Sequence, residues 1–337
     1  MRNSNDSNFK LGLILGRVRF PLRRMSSWLF CLLLILQNSQ ALHFEPQIEN
    51  HTIHHEPYIV NPEKARIWPS GWDTSGRSTQ IHSRRSKLCA RNRVTFAVER
   101  EALIKYFPQN TLNVNCFHSQ STEDVLFYRH FGHSLLSPES RGQKRYFIEM
   151  GGLDGVRYSN TYAIESLFGW YGILIEPGPG FYRRLLKNRP NVIAFNEIVC
   201  DKGEVEFFTG GSVGGARELF DSKFIQRWYL EHQPKTIKLT CVSLTSLLSL
   251  VQERSGVSCY DFFSLDVEGA ELSVVSTLDF DRFHFRVIVI EEAGYNRTRE
   301  EAVAAIVMSH GYEKYNMPED EKNGWYVMND KSNGCSL

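Results

Sequence analysis

Acidic residues recur in this sequence directly after short apolar runs, two of them beside glycine turns. The first such place is Glu149-Met150-Gly151-Gly152-Leu153-Asp154-Gly155, of the form E-x-G-x-x-x-G. Glycines there permit positive φ and let backbone approach a ligand closely. Glu176 follows 27 residues after Glu149, where a carboxylate can accept both hydroxyls of a ribose. The third place is Ser264-Leu265-Asp266-Val267-Glu268-Gly269-Ala270-Glu271, and the fourth is Glu291-Glu292-Ala293-Gly294. A carboxylate so placed accepts hydrogen bonds from a ligand amine or takes a proton from a nucleophile, and Asp266 and Glu291 are the candidate bases. Any one of these acids could equally cap a helix or sit solvated in a loop. Four of them at the ends of four strands argue for a ligand cleft. The dinucleotide fingerprint G-x-G-x-x-G is absent, which argues against NAD or FAD.

The elements that must position these acids are legible as apolar periodicity. Short continuous apolar runs at 146–148, 172–175, 192–195, 262–265 and 287–290 are what strands buried on both faces require. Stretches at 160–168, 180–186 and 270–278 are long enough for crossover helices. The expected architecture is α/β, a doubly wound and mostly parallel sheet, in which ligands bind beyond the carboxyl ends of the strands. Strands near 205–208 and 237–242, with a glycine-rich loop at 210–215, interrupt the alternation as an insertion or an extra sheet edge. That loop reads as flexible surface more than as a lid. Residues 312–315 and 325–328 suggest a closing hairpin. Upstream, Val94, Ala97, Val98, Ala102, Leu103 and Tyr106 fit one helical face, and Val125, Leu126, Tyr128 and Phe131 another. Trp170 and Tyr171 read as core, and His284 as a packing residue.

The stretches 147–155, Ser159-Asn160-Thr161, 169–177 and 263–271 together resemble the FkbM-type methyltransferase domain. The resemblance covers roughly residues 143–330. It implies a class I, Rossmann-like fold dependent on S-adenosyl-L-methionine. It further implies that Glu149, Gly151 and Gly155 shape the cofactor pocket and that Glu176 holds the ribose. Asn160 would support the glycine turn, and Asp266 and Glu268 would lie near the methionine moiety or the acceptor. Many family members carry Val-Gly-Ala where Met150-Gly151-Gly152 stands here, a small change.

The whole chain sets the compartment. A run of nine apolar residues, 28–36, follows a basic stretch with Arg17, Arg19, Arg23 and Arg24 and precedes Ser39-Gln40-Ala41. This is the layout of a secretory leader, with cleavage after Ala41 or retention as a signal anchor. The expected domains are a leader at 1–41, a proline- and histidine-containing stem at 42–87, an N-terminal helical extension at 88–142 and the methyltransferase-type domain at 143–337. Seven cysteines become six without Cys31, and in an oxidising lumen three disulfides are the default. Six cysteines allow fifteen pairings, and proximity weakly favours Cys89 with Cys116 and Cys200 with Cys241. No pair has the CxxC spacing of a zinc site. Asn50-His51-Thr52 and Asn296-Arg297-Thr298 are glycosylation sequons. The 39 Lys and Arg against 38 Asp and Glu, a net charge of +1, argue against a nucleic-acid partner.

Two functions are compatible with these features. One is O-methyl transfer to a glycan, lipid or small-molecule acceptor in the secretory pathway. The other follows from a similarity, leader included, to the luminal part of animal Star-like proteins. It implies a non-catalytic role in exporting membrane-protein cargo from the endoplasmic reticulum to the Golgi. A lumen is an unusual setting for this cofactor, and a glycan at Asn296 would sit near the cleft; both favour the second reading.

Overall fold

The computed structural model describes residues 13–15, 18–20, 116–135, 143–209, 211–229, 234–329 and 335. The chain divides into two units, Met1–His55 and Glu56–Leu337. In the first, β1 (Leu13–Leu15) and β2 (Val18–Phe20) pair as an antiparallel hairpin. The leader run, the stem, the helical face at 94–106, Asn50 and Cys89 lie outside the described residues.

The second unit opens with α1 (Glu123–Leu135), β3 (Tyr146–Met150), α2 (Tyr162–Phe168), β4 (Tyr171–Ile175), α3 (Pro179–Asn188) and β5 (Ile193–Phe195). There follow β6 (Ile198–Val199), β7 (Glu204–Thr209), α4 (Ser222–Tyr229), β8 (Lys235–Val242) and α5 (Leu244–Ser255). The chain then runs through β9 (Cys259–Leu265), α6 (Glu271–Val275), β10 (His284–Glu291), α7 (Arg297–Ser309), β11 (Tyr312–Tyr315) and β12 (Asn323–Met328). Seven strands form one sheet in the order β11-β12-β10-β9-β3-β4-β5. All adjacent pairs from β10 to β5 are parallel, and β12 runs antiparallel to both β10 and β11. The doubly wound expectation therefore holds, and the closing hairpin is present with its second strand inserted against β10.

Helices cover both faces because the strands are apolar on both. Phe147, Leu174, Phe262 and Val289 pack with α1, α2 and α3. Ile148, Ile173, Phe263 and Ile288 pack on the other face against α5, α6 and α7. Among the described residues, no helix is long and apolar enough to cross a membrane.

From β3 the chain moves outward through β4 and β5, then returns to build β9 and β10 on the other side. The connections leaving β3 and β9 thus diverge, which makes their carboxyl ends the switch point where such sheets bind ligands.

The interruption between β5 and β9 is a separate three-stranded sheet, β6-β8-β7, carrying α4 beside it. Lys235, Lys238 and Thr240 of β8 are exposed, so this strand could not lie inside a sheet covered on both faces. Cys200 and Cys241 join β6 to β8 by a disulfide with Cα atoms 5.3 Å apart. A second disulfide, Cys259–Cys335, ties the C-terminal segment to the start of β9. Cys116 is also disulfide-bonded. The crossover helix expected at 270–278 is shorter, Glu271–Val275. Beyond it Thr277 turns to anchor the start of α5, its hydroxyl accepting from Leu244 N at 3.0 Å and its carbonyl from Thr245 Oγ1 at 2.7 Å.

Candidate cofactor and acceptor site

Gly151 ends β3 at the switch point. Its N–H bonds Ile175 O at 3.3 Å, while Asp266 N bonds Met150 O at 3.3 Å, so the chain is held from both neighbouring strands. With φ at +84°, a Cβ on Gly151 would lie 1.8 Å from the Asp266 carbonyl oxygen. Only glycine fits there.

The turn that follows is fastened from beneath by Glu149 and Arg189. Glu149 points to the face covered by α2 and α3, opposite to Met150, as strand alternation dictates. Its carboxylate accepts from Asn160 N at 2.6 Å, Thr161 Oγ1 at 2.6 Å and Ser159 Oγ at 2.9 Å. Arg189, 2% exposed, donates to Glu165, to Gly155 O at 2.9 Å, to Ser159 Oγ at 3.1 Å and to Thr161 Oγ1 at 3.2 Å. A Cβ on Gly155 would lie 2.6 Å from Arg189 Cγ, so this glycine makes room for the arginine. Asn160 reaches across to β9, donating to Ser264 Oγ at 2.9 Å. Glu149, Gly155 and Asn160 therefore brace the turn from behind and do not line the cavity beside it.

That cavity, of about 480 Å³, falls in the ~300–1,000 Å³ range of small-molecule sites. Gly151, Glu176, Asp266 and Glu268 all line it. Of the four non-glycine residues with left-handed backbone among those described, Leu153, Tyr158 and Glu268 also line it. Such strain collects where a ligand site over-determines the chain. Glu291 does not reach this cavity. It lines a smaller hollow of about 40 Å³ with Glu268, Glu271 and Asn296, and hydrogen-bonds Asp266 from behind. Asn296 caps α7, its Oδ1 accepting from Arg299 N at 3.2 Å, and its Nδ2 faces Asp221 Oδ2 at 3.3 Å.

Three features of the cavity escape the sequence patterns. Glu197 is buried and lines it, as do Phe207 and Phe208 of β7. Gly211, Ser212, Gly214 and Gly215 form part of its wall, so the glycine-rich loop is more than exposed surface. Gln120, upstream of the whole sheet, contributes as well. Glu197, just before β6, and the aromatics of β7 carry no spacing signal relative to the motif strands; only the folding of the inserted sheet over the switch point brings them in. Trp170 is core, packed edge-on against Phe127 at 5.9 Å.

Burial dominates the electrostatics. The Glu176 carboxyl is pushed up to about 8 by desolvation, against the opposing pull of the Gly178 and Leu153 N–H groups and the Arg184 charge. Gly178 N lies 2.7 Å from its Oε1. Asp266 rises to about 7, first from burial and then from the charge of Glu271. Glu268 rises to about 9 through burial and its neighbours Asp266 and Glu271. Glu291 is raised well above the usual carboxylate range by burial and by Asp266. Among the described residues the lining thus carries four acids and a single cation, Arg184. Such a set suits a positively charged ligand and offers nothing to a pyrophosphate, which needs clustered donors or cations.

Residues 149–314 match the methyltransferase FkbM domain. The match spans β3 to β11 and contains Glu149, Glu176, Asp266 and Glu291. Among solved structures, the human methyltransferase 10 domain containing protein aligns at 12% identity over 68% of this chain and 94% of its own, with a TM-score of 0.33. The N-terminal domain of human METTL16 in complex with SAH aligns at 13% identity over 60% and 68%, TM-score 0.31. Precorrin-6y C5,15-methyltransferase from Geobacter metallireducens gives 13% identity over 64% and 92%, TM-score 0.31. No curated protein matches the chain significantly.

Proposed function

We propose that this protein is an S-adenosylmethionine-dependent methyltransferase of the secretory pathway, acting on a hydroxyl of a glycan, lipid or small molecule. The observation that carries the reading is the acid-lined cavity at the switch point of a sheet whose motif stretch matches a methyltransferase domain. The cofactor supplies an electrophilic methyl group on a sulfonium. Its donor and acceptor chemistry fits the residues present. Glu176 is placed to accept both hydroxyls of a ribose, and Asp266 and Glu268 to face positive charge.

The chain's own contribution is alignment and proton management. Methyl transfer is an in-line displacement, so positioning supplies most of the rate. Asp266, with its carboxyl near neutrality, is suited to take the proton from an acceptor hydroxyl. Glu291, hydrogen-bonded behind it, shares that proton and keeps the carboxyl aimed. Phe207, Phe208 and Ile237 offer the apolar body of an acceptor a wall on the inserted sheet. The Cys200–Cys241 disulfide that staples this sheet fits an oxidising compartment.

The test is transfer of labelled methyl from S-adenosylmethionine to lipid and glycan fractions of the secretory pathway by the full chain. Wild type is expected to label one fraction and Asp266→Asn to lose the labelling by about 100-fold or more. Labelling of no fraction by a wild type that binds cofactor favours the export reading, in which the fold serves as a surface for membrane cargo. There a Glu176→Ala variant would still restore cargo export in depleted cells.

A further inference from the structure

Residues 116–124 lie upstream of the matched stretch, yet they reach the cavity and are built to stay there. Gln120 lines it. Ser119 forms a parallel bridge with Tyr158, itself a lining residue with φ at 60°. The buried Asp124 carboxylate accepts from His118 N at 2.8 Å, Ser119 N at 3.3 Å and Ser119 Oγ at 2.5 Å. The His118 ring meets Tyr162 edge-on at 5.0 Å, and Cys116 is fully buried and disulfide-bonded. Three hydrogen bonds converging on one buried carboxylate hold the segment in one arrangement.

The charges of the cavity say what Gln120 would meet. Arg184 sits at the Glu176 end, where its charge acts on that carboxyl and its guanidinium stacks on Phe181 at 4.4 Å. Glu123, three residues beyond Gln120, accepts from Asn323 Nδ2 at 3.1 Å, and Asn323 pairs across the sheet with Glu291, whose carboxyl is hydrogen-bonded to Asp266. The upstream segment is therefore tied to the Asp266 end of the cavity. An amino-acid tail lying there presents an ammonium and a carboxylate side by side. The ammonium is met by Asp266 and Glu268, which repel the carboxylate. A carboxylate needs N–H donors, and among the described residues no lysine or arginine lines that end. A glutamine amide has two N–H donors on one nitrogen.

We infer that Gln120 binds the carboxylate of the cofactor's amino-acid tail, which makes residues 116–124 part of the cofactor site. The assignment rests on the S-adenosylmethionine reading, and its test separates the two. The full chain is titrated with S-adenosylhomocysteine and with 5′-methylthioadenosine, which has the nucleoside and no amino-acid tail. Gln120→Ala is expected to weaken S-adenosylhomocysteine about tenfold or more and to leave methylthioadenosine unchanged, with unaltered thermal unfolding because Gln120 is exposed. Gln120→Glu, which sets like charges together, is expected to lose more. Glu176→Ala should weaken both ligands. Unchanged S-adenosylhomocysteine binding in both Gln120 variants, or equal loss of both ligands, overturns the assignment while leaving the cofactor reading intact. A wild type that binds neither ligand overturns both.

Discussion

Asp266 is where backbone and side chain meet the same problem. Its carbonyl oxygen lies where a Cβ on Gly151 would be, and its carboxyl stands between the cavity and Glu291. Burial among other acids holds protons that a cationic ligand would expel. Asp266 at about 7 and Glu176 at about 8 are partly protonated at neutral pH without ligand. A bound sulfonium and ammonium favour the ionised Asp266, and ribose hydroxyls donating to Glu176 favour its carboxylate, so binding releases protons and tightens as pH rises through those values. Affinity for S-adenosylmethionine is expected to rise about tenfold between pH 6 and 8 from Asp266 alone, and further from Glu176. The check is calorimetry in buffers of different ionisation enthalpy, which should give different heats at pH 7. Equal heats and an affinity flat or falling with pH would count against the acids as the ligand's partners.

At the scale of elements, the glycine turn after β3 depends on an ion cluster that no motif spacing announces. Arg189 follows α3 and lies 40 residues after Glu149 in the sequence, yet it binds Glu165, Gly155 and the residues Glu149 holds. Removing it leaves two buried carboxylates uncompensated. Arg189→Met is expected to cost about 3–5 kcal/mol in urea unfolding and Arg189→Lys less, since the charge stays while the fork is lost. A change under about 1 kcal/mol in the Met variant would show that the cluster does not hold the turn. The five parallel strands were legible because each is a continuous apolar run, and α1 because its apolar residues share a face. The regular spacing of Leu244, Leu247, Leu248 and Val251 after Ser243, whose Oγ accepts from Ser246 N at 3.0 Å, also carried the signal for α5. It lay hidden inside a stretch read as an interruption. Glu149 was legible as a motif acid, but its direction was not. Which face a strand residue takes depends on which helices cover it, and that is a tertiary fact.

Across the whole molecule, a near-neutral chain places its acids unevenly. Among the described residues, four of them line one cavity with Arg184 as the single lining cation, a feature that a net charge of +1 conceals. The inserted sheet and the upstream segment close over a switch point that the motif strands alone would leave open. Cys200–Cys241 and the bonded Cys116 fasten both additions, so the site is assembled from three parts of the sequence. The measurement that bears most directly on the central claim is titration calorimetry of S-adenosylhomocysteine against the full chain, wild type and Glu176→Ala. Saturable one-to-one binding by the wild type, weakened at least about tenfold by a substitution that removes the ribose acceptor, is the expected result. An absence of binding by the folded wild type, or equal binding by the two, would contradict it.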